Sequence, residues 1–182
     1  MKKNILVYGL IAGLAVAAPM LFMVNYMSHC EGNMDYDSSM VLGYAVMLIA
    51  FSLVFVGIRN YRNNHLNGYI SFGKAFKVGF MIVLVASTIY VAAWLVDYFF
   101  FIPDFGEKYT AHMLEELKAS GASAAEIKKQ TEEMAWMSTL YKNPFFNALV
   151  TYTEILPVGI IVTLISALIL KRKPPVEIGQ PA

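Results

Sequence analysis

FFNALVTYTEILPVGIIVTLISALIL, residues 145–170, is a run of 26 mostly apolar residues that carries a carboxylate, Glu154, and a proline, Pro157, near its middle. A bilayer's hydrocarbon core is about 30 Å thick and takes roughly 20 helical residues, so the length is that of a membrane-spanning helix. A central charged residue costs about 2.5–3.5 kcal/mol on an insertion scale, while each Leu, Ile, Phe or Val contributes about 0.3–0.6 in favour. The fifteen such residues in the run supply about 4–9 kcal/mol. The helix inserts with the acid in place, so the question is what holds Glu154.

Three further stretches, 5–24, 40–58 and 78–102, meet or nearly meet the same length test. The whole chain agrees: its 182 residues are 58% hydrophobic and 15% charged, with a mean hydropathy of +0.55. A soluble domain of this size carries about 25% charged residues. These counts predict an all-α membrane protein, a four-transmembrane-helix bundle occupying residues 1–173, with a disordered cytoplasmic tail over 174–182. A cleaved signal peptide is the alternative for the first stretch, because Lys2 and Lys3 precede it and Ala15-Val16-Ala17 resembles a cleavage site. The apolar run continues through Met20 to Val24, which favours a retained span.

Basic residues resist translocation, so their distribution predicts orientation. Nine of the fourteen, Lys2, Lys3, Arg59, Arg62, Lys74, Lys77 and Lys171 to Lys173, fall on one side, and ten of the thirteen acids fall on the other. Both termini are expected in the cytoplasm. Trp94 and Tyr98 to Phe101 close the third span as an interfacial aromatic belt. Arg59, Arg62, Lys74 and Lys77 are placed to contact anionic headgroups.

Residues 104–143 are too long for an ordinary connection and carry their own helix punctuation. A helix over about 107–119 places Tyr109, Met113 and Leu117 on one face, with Gly121 suited to a left-handed cap. Ser123-Ala124-Ala125-Glu126 is a capping box that opens a second helix, with Ile127, Met134, Met137 and Tyr141 on its apolar side and Asn143-Pro144 at its end. An extracytoplasmic helical hairpin between the third and fourth spans is the expectation. Its charged face reads as solvated surface.

Helices in lipid meet through small residues and polar contacts. Gly9, Gly13 and Ala17 form one such stripe, and Gly159, Thr163 and Ala167 another. On the fourth span Asn147, Thr151 and Glu154 share a face, and in the third span a stripe through Tyr90 points Asp97 inward or toward interfacial water. No Lys, Arg or His lies within the four spans as drawn. A buried carboxyl without a counter-charge favours its neutral form, so Glu154 is expected to hydrogen-bond across helices, with Tyr44 and Tyr90 as partners. Pro157 donates no backbone hydrogen bond and loosens the helix beside the acid. The sharper alternative is a proton or cation path through Glu154, alone or shared with Asp97, although the chain has no inverted repeat or paired broken helices.

The remaining constellations exclude more than they propose. Cys30 is the lone cysteine, so no intrachain disulfide forms. SFGKAFK at 71–77 lacks the phosphate-loop pattern, and His29, Glu31, Asp35 and Asp37 match no calcium loop. No metal, cofactor, nucleic-acid partner or nucleophile–base pair is indicated.

Laid end to end, ISFGKAFKVG at 70–79, FIPDFGEKY at 101–109, SGASAAEI at 120–127, YKNPFFNAL at 141–149 and EILPVGIIVTLISALILKRK at 154–173 resemble a bacterial membrane-protein family catalogued as domain of unknown function 4199. The resemblance runs from Tyr8 to Lys173 and implies a multi-pass protein of the inner membrane in a Gram-negative group. It implies no catalytic residue, because the family has none assigned.

Three functions follow as expectations. The first is a non-enzymatic structural or accessory component that presents the hairpin to a membrane or periplasmic partner, with self-association through Gly9 and Gly13 as a variant. The second is a small proton- or cation-coupled transporter using Glu154, and the third an enzyme on lipid-linked envelope substrates. The sequence leaves monomer and homo-oligomer both open.

Overall fold

The computed structural model describes residues 1–29 and 36–174. Its helices in chain order are α1 (Lys2–His29), α2 (Tyr36–His65), α3 (Phe72–Phe100), α4 (Phe105–Ala119), α5 (Ala124–Tyr141) and α6 (Pro144–Leu170). Among the described residues there is no strand, only an isolated antiparallel bridge between Ile70 and Arg172. Cys30, Glu31 and Asp35, the side chains of His29 and Asp37, and the tail 175–182 lie outside the described residues.

α1, α2, α3 and α6 are each long and apolar enough to cross a membrane. At 1.5 Å per residue the 27 residues of α6 reach about 40 Å, further than the hydrocarbon core. That is why each helix outruns the apolar stretch that announces it. α3, for example, starts at Phe72, with Ser71 accepting the Lys74 N–H at 3.4 Å as its cap. Leu6, Leu10, Leu14, Ile49, Ile165 and Ile169 stand exposed on the flanks. In water such a surface would be an association hazard; in a bilayer it is the lipid-facing side, and the chain reads as a membrane protein.

Around the bundle the helices run α1, α2, α6, α3, with α2 and α3 also touching across the middle. Glycines set the closest approaches. A Cβ added at Gly9 would sit 2.7 Å from the Val85 side chain, and one at Gly13 would sit 2.9 Å from Ile89 Cβ. Gly79 meets the Thr163 methyl in the same way, and Gly159 meets Val83 and Phe51. Gly9 and Gly13 thus pack against α3 within the chain. Ala17 and Thr163 are buried too.

The two ends of the bundle differ. At one end Asn4 Nδ2 donates to Asn60 Oδ1 (2.9 Å), Ile70 and Arg172 exchange backbone hydrogen bonds (3.1 and 2.8 Å), and Arg62 Nη1 donates to the Leu170 carbonyl (3.2 Å). The Arg172 guanidinium also lies 5.8 Å from the centre of the Tyr69 ring. All nine basic residues named above gather here. Arg62, expected at headgroups, instead satisfies the last turn of α6, where a cation is favoured by the helix dipole. Arg59, Lys74 and Lys77 remain exposed.

At the other end α4 and α5 pack on each other and α5 also on α6. α4 closes in a Schellman motif: Gly121 adopts φ +81° while Ala122 N–H reaches the Leu117 carbonyl (3.3 Å) and Gly121 N–H that of Lys118 (3.1 Å). α5 opens on the capping box, with Ser123 N–H donating to Glu126 Oε2 (2.8 Å) and Glu126 N–H donating to Ser123 Oγ (3.3 Å).

Candidate functional site

Between this pair and the four long helices lies a cavity of about 840 Å³. Every helix contributes to its wall. Met20 and Met23 come from α1, Met40, Tyr44 and Met47 from α2, and Tyr90, Trp94 and Tyr98 from α3. α4 adds Tyr109 and Met113, α5 adds Met134, Met137 and Tyr141, and α6 adds Thr151 and Glu154. Phe22, Tyr26, Met40 and Leu42 line it and are also more than half exposed. Among the described residues the cavity thus opens between α1 and α2 onto the apolar flank of the bundle.

The lining is apolar and aromatic with one carboxylate. Among the described residues no Lys, Arg or His and no acid other than Glu154 contributes to it. Glu154 lies ten residues into α6, about 15 Å from the helix start. Its side chain is exposed, and it lines the cavity. Its carboxyl makes no hydrogen bond to any described residue. The cross-helix bond expected to Tyr44 or Tyr90 is absent, although both rings line the same cavity and Tyr90 stands within electrostatic reach of the acid. Tyr152, on another face of α6, is the tyrosine that bonds across helices, its hydroxyl donating to Thr88 at 2.9 Å. Pro157 leaves α6 continuous while depriving the Thr153 carbonyl of its helical donor.

The other polar residues of the spans are committed. Asn147 is fully buried: its Oδ1 accepts the Trp94 indole N–H at 2.8 Å, and its Nδ2 donates to the Tyr141 carbonyl at 3.4 Å. Thr151 donates back to the Asn147 carbonyl at 2.8 Å. Asp97 is only 5% exposed and accepts the Asn25 Nδ2 hydrogen on both oxygens, at 2.9 and 3.0 Å. It does point inward, but to α1 and not to interfacial water. Asp97 and Glu154 are therefore two separate devices, an α1–α3 clamp at Asp97 and a carboxyl lining the cavity at Glu154.

Aromatic contacts bind the wall together. Trp94 packs against Tyr98 (centroids 5.5 Å apart) and Phe105 (5.6 Å), and Tyr98 lies 6.3 Å from Tyr141. Burial pushes the Tyr141 phenol above its ordinary value, and the nearby Glu154, Tyr98 and Tyr109 add to the shift. Tyr90 on α3 and Tyr141 on α5 are thus both within range of the same carboxylate.

Sequence reasoning found Glu154 and the apolar faces of α4 and α5 but missed what they face. Met113 and Met137, expected to meet a partner, are cavity wall. It also missed Asn25, 72 residues from Asp97, and the four methionines of α1 and α2. A signal was present: the chain has 11 methionines, and seven of them line this one cavity. Among the described residues no group of three or more His, Cys, Asp or Glu side chains gathers where a metal ion could be held.

A family model described as "Protein of unknown function (DUF4199)" matches residues 7–172. No curated protein and no solved structure matches the chain.

Proposed function

Because the chain belongs to the DUF4199 family of proteins of unknown function, its activity has to be read from its own geometry, and we propose that it is a non-enzymatic membrane protein that binds the apolar body of a small amphiphile. The observation that carries this reading is the cavity of about 840 Å³ with its aromatic and thioether wall. Its volume falls within the range of about 300–1,000 Å³ typical of small-molecule sites. Methionine side chains are flexible and polarizable, so such a wall accommodates chains of varied shape. The opening between α1 and α2 gives an amphiphile a lateral route from the bilayer.

In this reading α4 and α5 roof the site, and their charged outer face, with Trp136 63% exposed, is what an accessory role would present to a partner. We place the basic end in the cytoplasm of a bacterial inner membrane and the α4–α5 pair outside it. The support is nine basic residues and no acid among the described residues of that end. A cysteine introduced at Ser123 in a Cys30→Ser background tests the orientation, since an impermeant maleimide must label it in intact cells.

Binding is tested with pyrenyl-dodecanol and protein in nanodiscs. Gly43 lines the cavity, and a Cβ there meets nothing within 4 Å, so Gly43→Phe introduces a ring at the wall with no clash at its Cβ. Saturable binding by the parent and its loss in Gly43→Phe is the expected result. Identical, unsaturable partitioning in both would refute the reading.

Transport remains the second reading, favoured by the absence of a hydrogen-bond partner for Glu154 among the described residues. It requires the basic end to open, against the Asn4–Asn60, Ile70–Arg172 and Arg62–Leu170 contacts. Equal liposome flux by the parent and Glu154→Gln would exclude it. An enzyme acting on lipid-linked substrates would need Asp97, which Asn25 already occupies.

A further inference from the structure

The cavity's charge pattern narrows the chemistry of what enters it. We propose that the occupant is a cationic amphiphile, an apolar body carrying a single alkylated or quaternary ammonium, with Glu154 as its counter-ion and the surrounding tyrosine rings as its cage. The inference rests on the amphiphile-binding reading above and adds the headgroup.

Three observations carry it. Among the described residues Glu154 is the only charged side chain lining the cavity, and none of them hydrogen-bonds its carboxyl. A cation entering there gains a partner of opposite charge in surroundings far less polar than water, where the attraction is strong. Second, three tyrosines, Tyr44, Tyr90 and Tyr141, share the cavity wall with Glu154. The negative face of an aromatic ring attracts an alkylated ammonium, and cages of such rings are a recurring way of binding one. Third, among the described residues no Lys, Arg or His lines the space. A phosphate-bearing headgroup would place an anion beside an acid with no cation to compensate, so ordinary phospholipid headgroups are disfavoured by the same geometry.

Binding requires no covalent step. The ammonium pairs with the carboxylate, its alkyl body displaces lipid chains or water from the methionine wall, and the charge of the pair is internally balanced.

The experiment measures displacement of pyrenyl-dodecanol from the full-length protein in nanodiscs by three dodecyl compounds: trimethylammonium, alcohol and phosphocholine. For the parent, the ammonium is expected to compete about tenfold better than the alcohol, a difference of about 1.4 kcal/mol. The phosphocholine should compete no better than the alcohol. In Glu154→Gln the ammonium should fall to the level of the alcohol, while the alcohol itself still displaces the probe and so shows that the cavity is intact. Tyr141→Leu should weaken the ammonium selectively, and Tyr141→Phe, which keeps the ring, should not; this pair decides the matter if Glu154→Gln does not fold. Equal competition by ammonium and alcohol in the parent, or a preference that survives Glu154→Gln, overturns the proposal while leaving amphiphile binding standing. Failure of the parent to bind pyrenyl-dodecanol saturably overturns the underlying reading and this one with it.

Discussion

Replacing Asn147 with leucine keeps the branching and heavy-atom count of a fully buried side chain but removes the acceptor of the Trp94 indole N–H, 2.8 Å away. An indole nitrogen donates one hydrogen bond and accepts none, so the tryptophan has no alternative use for it. Leaving a buried donor without a partner costs about 1–3 kcal/mol in soluble proteins. Hydrogen bonds between membrane helices average about 0.6 kcal/mol and reach about 1.7. The second bond lost, from Asn147 Nδ2 to the Tyr141 carbonyl, is long at 3.4 Å and ends on a half-buried residue that water can serve. Thr151 keeps its bond to the backbone carbonyl of residue 147. The expected loss for Asn147→Leu is therefore about 1–2 kcal/mol. Trp94→Phe removes the donor, so in the double variant nothing is orphaned. A double-mutant cycle on thermal or denaturant unfolding in detergent should give a coupling energy of about 1 kcal/mol. Strict additivity of the two substitutions would refute the assignment of this bond as the tie between α3 and α6.

The other predictions use the same unfolding assays. Gly13→Ala sets a Cβ 2.9 Å from Ile89 Cβ and 3.1 Å from Ala86 Cα, and should cost about 1–3 kcal/mol by forcing α1 from α3. Gly43→Ala, with open space around its Cβ, should instead gain about 0.5–1 kcal/mol from helix propensity. Asn25→Leu strips a hydrogen bond from the buried carboxylate of Asp97 and should cost about 1.5–3 kcal/mol. Asp97→Asn keeps an acceptor and should cost less. Ser123→Ala should weaken α5 by about 0.5–2 kcal/mol, read by amide exchange along 124–141. The Ser123 N–H and hydroxyl hold the Glu126 carboxyl below its ordinary value. The cap's contribution should accordingly be complete above the ordinary carboxylate range and vanish as pH falls through the lowered folded value. An α5 whose protection ignores acidification down to that range would contradict the cap.

The helices were legible because their signals are local. Hydropathy located all four long helices, with ends displaced because it registers hydrocarbon and not the interfacial turns that Ser71 caps or that Arg59 and Arg62 decorate. The capping box at Ser123 and the glycine at 121 gave the boundaries of α4 and α5 directly, since each motif is fixed by two or three neighbouring residues. Periodicity also assigned Tyr109, Met113, Met134, Met137 and Tyr141 to apolar faces. What it withheld was the neighbour on the other side. A helical face specifies which residues point together and says nothing of what they meet, so the cavity that the α4–α5 faces line was not legible in the sequence. Glu154 and Asn147 show the same limit. They share a stripe in sequence, but Trp94 claims Asn147 and nothing among the described residues claims Glu154. The Asn25–Asp97 pair joins positions 72 residues apart, a distance across which a single sequence carries no pairing signal.

The claim that the cavity takes an amphiphile is most directly tested by the fluorescence of Trp94. The chain has two tryptophans. Trp136 is exposed and Trp94 lines the cavity, so Trp136→Phe leaves the cavity reporter alone. With this variant in nanodiscs, titration with 11-bromoundecanol should quench Trp94 saturably, and adding Gly43→Phe should remove the saturable component. Quenching that rises in proportion to the alcohol-to-lipid ratio, alike with and without Gly43→Phe, would contradict the account.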